Sequence, residues 1–198
     1  MKIAIIGAGK IGGTLGRAWA KAGHEVRFGV RNPADSKFDD VRALGPVAPL
    51  AQAILGADAV LLALPGAAVA DFAAEHGAGL AGKVVIDATL KFRSPEMNSL
   101  SVLKEKAPGA HLVRAFSTLG WENFANPRLG GAAIDLFFCA QADARSAAEQ
   151  LIGDVGLRPV YLGDIDAAPT VDDLTRAWFA MVRSQGRGRR LALKMMQE

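Results

Sequence analysis

Cysteine is nearly absent. The single thiol among 198 residues, Cys139, excludes an internal disulfide, and its place after Leu136-Phe137-Phe138 reads as a buried core position rather than a nucleophile. Histidine is scarce as well: His24, His76 and His111 stand far apart, without the spacing of a metal site. No carboxylate pair, Ser-His-Asp set or Cys-His pair can be assembled, which removes the common routes of general acid–base and nucleophilic catalysis. Long apolar runs are missing too. Ala59-Val60-Leu61-Leu62-Ala63-Leu64 stops at Pro65, far short of the roughly 20 residues that span a bilayer. Met1-Lys2-Ile3 leads straight into apolar sequence and leaves no room for a signal peptide. These absences predict a cytoplasmic protein with no membrane partner. Without a helix-turn-helix pattern or a platform of interleaved aromatic and basic residues, no nucleic-acid partner is expected either.

What the chain does have is a glycine loop near its start. Lys2-Ile3-Ala4-Ile5-Ile6 reads as a buried parallel strand, and Ile11, Leu15, Trp19 and Ala22 repeat at helical spacing after Gly7-Ala8-Gly9-Lys10-Ile11-Gly12. Strand, G-x-G-x-x-G and helix in that order are the signature of dinucleotide binding. The first glycine permits the tight turn, the second clears the approach of a pyrophosphate, and the third lets helix and strand pack closely. The free amides of the helix start then face the phosphates.

The end of the second strand selects between dinucleotides. An acid there would accept from a ribose 2′-hydroxyl and repel a 2′-phosphate, but Glu25-Val26-Arg27-Phe28-Gly29 is followed by Val30-Arg31-Asn32. Arg31 offers a bidentate fork to a phosphate dianion and Lys37 a second charge, so NADP(H) is the expected cofactor. The alternative is that Arg31 is an ordinary solvated arginine.

Strands and helices alternate along the chain. Strands are expected near Val47, over Ala59 to Leu64, Lys83 to Asp87, His111 to Phe116, Ala133 to Cys139 and Arg158 to Leu162. Helices are expected over Pro49 to Leu55, Ala67 to His76, within Ser94 to Lys106, and over Ala144 to Val155. The pattern predicts an α/β fold of Rossmann type, a doubly wound and mostly parallel sheet in one domain spanning 1–198, with a C-terminal helical extension from about 171. In that tail Arg176, Arg183, Arg187, Arg190 and Lys194 fall on one narrow helical stripe, with Trp178, Met181, Val182, Leu193 and Met196 broadly opposite. Six basic residues and one acid from Arg176 onward leave +5 in the tail and −2 in the rest. The stripe is either a solvated face or an anion-binding one, and Gly186 and Gly188 weaken the helix by about 1 kcal/mol each.

The segment Arg114-Ala115-Phe116-Ser117-Thr118-Leu119-Gly120-Trp121 resembles the Lys-Ala-Phe-Asn-Thr motif of the NADPH:coenzyme F-420 oxidoreductases, which are related to the cytosolic domain of the six-transmembrane metalloreductases. Together with the glycine loop, Arg31, Leu64-Pro65 and Gly156-Leu157-Arg158-Pro159, the resemblance spans most of the chain. Val30 stands where the archaeal enzymes have a serine, and Ser117 where an asparagine is usual. The resemblance implies hydride transfer between NADP(H) and a deazaflavin acceptor, coenzyme F-420, which needs two stacked rings and no protein base. The strand ends agree on location, since ligands of an open parallel sheet sit beyond its carboxyl edge. Gly7 through Gly12, Arg31, Asn32, Leu64, Pro65, Ala88, Thr89, Phe116, Ser117 and Thr118 are expected to line one cleft. Leu64 and Pro65 would wall the adenosine half, and Thr89 and Ser117 would reach toward the nicotinamide. Trp121, Trp178 and Phe179 are either a face for the second ring or core packing. Arg183, Arg187 and Arg190 are candidates to steer an anionic acceptor, and Asp87 is read as a turn cap rather than an acid. Three functions remain open: F-420 reduction, NADPH-dependent reduction of a flavin, quinone or ferric chelate, and a non-catalytic NADP(H)-binding module. Relatives acting on hydroxyacids or pyrroline-carboxylates build their site from a large helical domain, for which the forty or so residues after the last strand leave no room. A homodimer is a further expectation.

Overall fold

The computed structural model describes residues 1–196 and 198. Six strands run parallel: β1 (Lys2–Ile6), β2 (Glu25–Gly29), β3 (Val47–Ala48), β4 (Ala59–Leu62), β5 (Val84–Asp87) and β6 (His111–Arg114). A small hairpin of β7 (Arg128–Leu129) and β8 (Ala132–Ala133) precedes β9 (Asp135–Ala140) and β10 (Arg158–Tyr161). The main sheet has eight strands in the order β10-β9-β6-β5-β4-β1-β2-β3. Its first six strands therefore reverse direction of progress between β1 and β4, the switch point at which Rossmann-type sheets open their ligand crevice. Among the described residues, the far edge supplies the one antiparallel pair of the mostly parallel sheet. The last two strands extend the sheet, but β9 pairs antiparallel to β6 and β10 follows β9. The link from β6 to β9 carries only the short helix α6 (Trp121–Ala125) and the hairpin. Neither crosses back over the sheet, so the chain re-enters from the end at which it left.

The remaining helices are α1 (Lys10–Lys21), α2 (Asp39–Arg42), α3 (Leu50–Ile54), α4 (Val69–His76), α5 (Leu100–Lys106), α7 (Ala142–Asp154) and α8 (Ala168–Phe179). Strand alternation divides the interior into two cores. Ile3, Ile5, Phe28, Leu61 and Phe138 face Leu15 and Trp19 of α1 and Leu151 of α7. Ala4, Ile6, Val60 and Leu62 face Val69 and Phe72 of α4 and Leu103 of α5. The thiol of Cys139 lies in this second core, and burial pushes it up to about 12, the Arg114 charge offsetting only part of that. Helix α8 begins in the second core with Ala168 and Val171 and ends in the first with Trp178. It thereby crosses from one face of the sheet to the other.

The expected C-terminal helix forms, but it ends earlier than its charge stripe implies. After α8 one π-helical turn, Ala180–Ser184, completes it. Gly186 and Gly188 then take φ of +62° and +76°, outside helical geometry. Through residue 196 the chain runs as a non-helical strap, and Gln197 lies outside the described residues. Fixed acceptors on neighbouring elements hold it. The Arg190 guanidinium donates to the carbonyls of Glu122, Asn126 and Arg128 at 3.0, 2.6 and 2.8 Å and to Asn123 Oδ1 at 3.1 Å. Trp178 Nε1 donates to the Leu191 carbonyl at 2.8 Å. Near the end, Asp135 accepts from the Met195 amide at 2.7 Å and pairs with Arg158 at 2.5 Å. Burial alone would raise the Asp135 carboxyl, but Arg158, the Met195 amide and Lys194 outweigh it and hold it below the usual carboxylate range.

A depressed carboxyl contributes stability that is present above its unfolded pKa and is lost as pH falls through the folded value. Acid below about pH 4 should therefore release the strap before the sheet, by way of Asp135. Asp135→Asn should cost about 2–3 kcal/mol at neutral pH, somewhat under the range for a fully buried pair because Arg158 is half exposed. It should also flatten the acid limb of a thermal-stability profile. An unchanged acid limb in the variant would show that other carboxylates govern it.

Candidate functional site

The glycine loop closes the carboxyl end of β1 and opens α1. Gly7 has φ of +102°, and its amide donates to the Gly29 carbonyl at 3.1 Å, which ties the ends of β1 and β2 together. A Cβ on Gly12 would stand 1.9 Å from the Gly7 carbonyl oxygen, so that glycine is required for the close approach of helix to strand. Gly9 differs: a Cβ there would meet nothing within 4 Å, because the loop faces an open cradle. As N-cap of α1 it offers no side chain to the first-turn amides, and no acid stands in that turn. A twelve-residue helix with open amides, a cleared loop in front of it and no acid in its first turn fits an anionic pyrophosphate.

Beside the loop lies a cavity of about 500 Å³, lined by Gly7, Ala8, Val30, Arg31, Asn32, Lys37, Leu50, Leu64 and neighbours from α4. Arg31 is exposed on its rim and takes part in none of the ion pairs formed among the described residues. Lys37 is less free. Its ammonium pairs with Asp35 at 2.7 Å, and that hydrogen bond holds the Asp35 carboxyl below its ordinary value. Phe38, Asp71, Phe72 and Glu75 also line this cavity, and sequence reasoning missed them as it missed Leu50. Asp71 and Glu75 are one turn apart on α4, a spacing that would have placed them on one face once α4 was known to border the cleft.

Leu64 joins this cavity to a second of about 230 Å³, lined by Ile11, Ala63, Leu64, Pro65, Ala88, Leu90 and Phe92. Its walls are apolar. Phe92, which sequence reasoning also missed, is 50% exposed at the mouth and meets Phe179 edge-on at 4.8 Å. The Arg183 guanidinium lies 4.8 Å from both rings. Arg183 thus reaches the mouth, whereas Arg190 is committed to the strap and Arg187 bonds Gln185.

Several expected cleft residues turn inward instead. Thr89 is buried and its hydroxyl donates to Asp87 Oδ1 at 2.6 Å. Ser117 is buried and accepts from Thr175 at 3.2 Å, while the buried Thr118 hydroxyl has no partner among the described residues. Phe116 holds φ of +61°, and its ring packs edge-on against Trp19 and Phe124 in the core. Trp178 is wholly buried, so it is core packing rather than an exposed ring face. Trp121 is partly buried against α1, with the Lys10 ammonium 5.2 Å from its ring. Asp87 is the expected cap: its carboxylate accepts from the amides of Thr89 and Ser99 at 2.9 and 2.7 Å.

Residues 2–91 match the family described as NADP oxidoreductase, coenzyme F420-dependent. A solved structure from Arthrobacter sp. FB24, described as a candidate F420-dependent NADP reductase, superposes at a TM-score of 0.87 with 25% identity, each chain covered in full. An imine reductase from Streptomyces aurantiacus shares the fold at a TM-score of 0.74 and 18% identity, over 93% of this chain and 64% of its own. Among curated proteins, glycerol-3-phosphate dehydrogenase [NAD(P)+] of Pseudomonas fluorescens is 28% identical over 125 residues, 56% of this chain. The chain spans 37% of that dehydrogenase's length. The F420-dependent family and the Pseudomonas enzyme are nicotinamide-dinucleotide oxidoreductases by description.

Proposed function

We propose that this chain is an NADP-dependent oxidoreductase that transfers a hydride between NADP(H) and a deazaflavin acceptor of the F-420 kind. The observation that carries the cofactor is Arg31, a free guanidinium at the end of β2 on the rim of the glycine-loop cavity. Gly9 and the open first turn of α1 would hold the pyrophosphate, and Leu64 would lie between the two halves of the dinucleotide. The nicotinamide supplies the hydride chemistry. The chain's residues bind, orient and keep water out: Ile11, Ala63, Ala88 and Leu90 form a dry wall, and no side chain needs to take a proton. The family description supports the F-420 acceptor, and the Phe92–Phe179–Arg183 group at the mouth suits a flat, anionic partner. Among the described residues no helix is long and apolar enough to cross a membrane. A cytoplasmic location and a homodimer belong to the same proposal.

The test is a set of parallel assays with purified protein, NADPH or NADH as donor, and F-420, FMN, FAD or ferric chelate as acceptor. Oxidation of NADPH with F-420, well above that with NADH, is the expected result. Turnover with flavin or chelate alone would move the acceptor assignment. Binding of NADPH without turnover on any of them would leave a binding module in place of an enzyme.

A further inference from the structure

A buried ionic cluster stands behind the apolar cavity, and none of the roles described so far uses its charge. Arg114 is fully buried; its Nε and Nη2 donate to Asp172 Oδ1 at 3.0 and 2.8 Å, and its Nη1 to the carbonyls of Asp87 and Thr89 at 3.1 and 2.7 Å. Nη1 also lies 3.5 Å from the Asp87 carboxylate, which is fully buried. Asn98 donates to the other oxygen of Asp172 at 2.8 Å. Every recorded contact of the two carboxylates is with a donor, the arrangement an ionised carboxylate accepts. Two carboxylates against one guanidinium leave one net negative charge inside the protein. Three neighbouring pairs cancel, Lys91 with Glu96, Lys104 with Asp166 and Arg176 with Asp173. Arg183 at the cavity mouth is in no ion pair among the described residues but is exposed, so water and salt screen it far more than the buried cluster.

The position of this charge is informative. Ala88, which lines the 230 Å³ cavity, lies between Asp87 and Thr89, and Arg114 grips the carbonyls of both. Burying three charges there costs desolvation that an apolar trio would avoid, so stability does not account for it. A nicotinamide ring is cationic when oxidised and neutral when reduced, and a buried charge is little screened by salt. Resting on the cofactor reading above, we infer that the Asp87–Arg114–Asp172 cluster favours the oxidised over the reduced dinucleotide. Bound NADPH then becomes a stronger hydride donor, which directs the chain toward reducing its acceptor.

The experiment is calorimetric titration of the intact chain with NADPH and with NADP+ separately, in the unmodified protein and in Asp172→Asn and Asp87→Asn, with thermal melts as a folding check. Each variant removes one buried negative charge. The ratio of the NADP+ to the NADPH dissociation constant should rise about fifteenfold in both, from a unit charge acting across roughly 10 Å at an effective dielectric constant of about 20. Loosened packing alone weakens both ligands together and leaves the ratio unchanged, so a constant ratio in the folded variants would overturn the inference. Two variants are used because one of them, if it misfolds, leaves the other to decide. Failure of the unmodified chain to bind either dinucleotide would instead overturn the cofactor reading, and the inference with it.

Discussion

Gly9→Val is expected to abolish binding of NADPH and NADH alike while the chain stays folded. A Cβ at Gly9 meets no protein atom within 4 Å, so the added side chain does not strain the core and projects into the open cradle. The same space is where a pyrophosphate would approach the first-turn amides of α1. Affinity should fall by at least about a hundredfold, since the phosphates lose both their room and their amide donors. Gly12→Ala supplies the contrast. There the new Cβ collides with the Gly7 carbonyl at 1.9 Å and with the Ile5 side chain at 3.0 Å, so the melting temperature should drop along with binding. A Gly9→Val protein with unaltered circular dichroism and unaltered NADPH affinity would remove the loop from the cofactor site.

The difference between those two glycines shows which parts of the molecule could be read in advance. Strand, loop and α1 are contiguous, and their periodicities change from alternate residues to helical spacing at the glycines, so a short stretch of chain contains the whole inference. Arg31 was legible for the same reason, because its meaning depends on where β2 ends. Side-chain direction at later strand ends was not. Phe116, Ser117 and Thr89 do follow strands that end at the cleft edge, but the local turn sends each side chain inward, and φ of +61° at Phe116 has no sequence signal. The tail misled for a different reason. Its basic residues repeat at helical spacing, yet Arg190 finds four acceptors on a segment more than sixty residues earlier. Tertiary partners of that kind outweigh a helix already weakened by two glycines. The Arg114–Asp172 pair is hidden by the same distance, since its members lie 58 residues apart.

Arg31→Glu should reverse the choice of dinucleotide. In the unmodified chain a free guanidinium on the cavity rim can fork onto a 2′-phosphate, and no acid stands at the end of β2 to accept from a 2′-hydroxyl. The substitution removes the charge-assisted pair and sets a carboxylate beside the phosphate, costing about 2–4 kcal/mol in NADPH binding. NADH should bind as well or better, because the new carboxylate can accept from its ribose hydroxyls. Lys37→Gln should do much less, since Lys37 already shares its charge with Asp35 at 2.7 Å. Salt separates the contributions: NADPH affinity should fall with ionic strength in the unmodified chain and in Lys37→Gln, and hardly at all in Arg31→Glu. Equal NADPH affinity in Arg31→Glu and the unmodified chain would mean that Arg31 faces only water. The preference for NADP would then need another cation on the same rim, and Lys37 is the one that lines it.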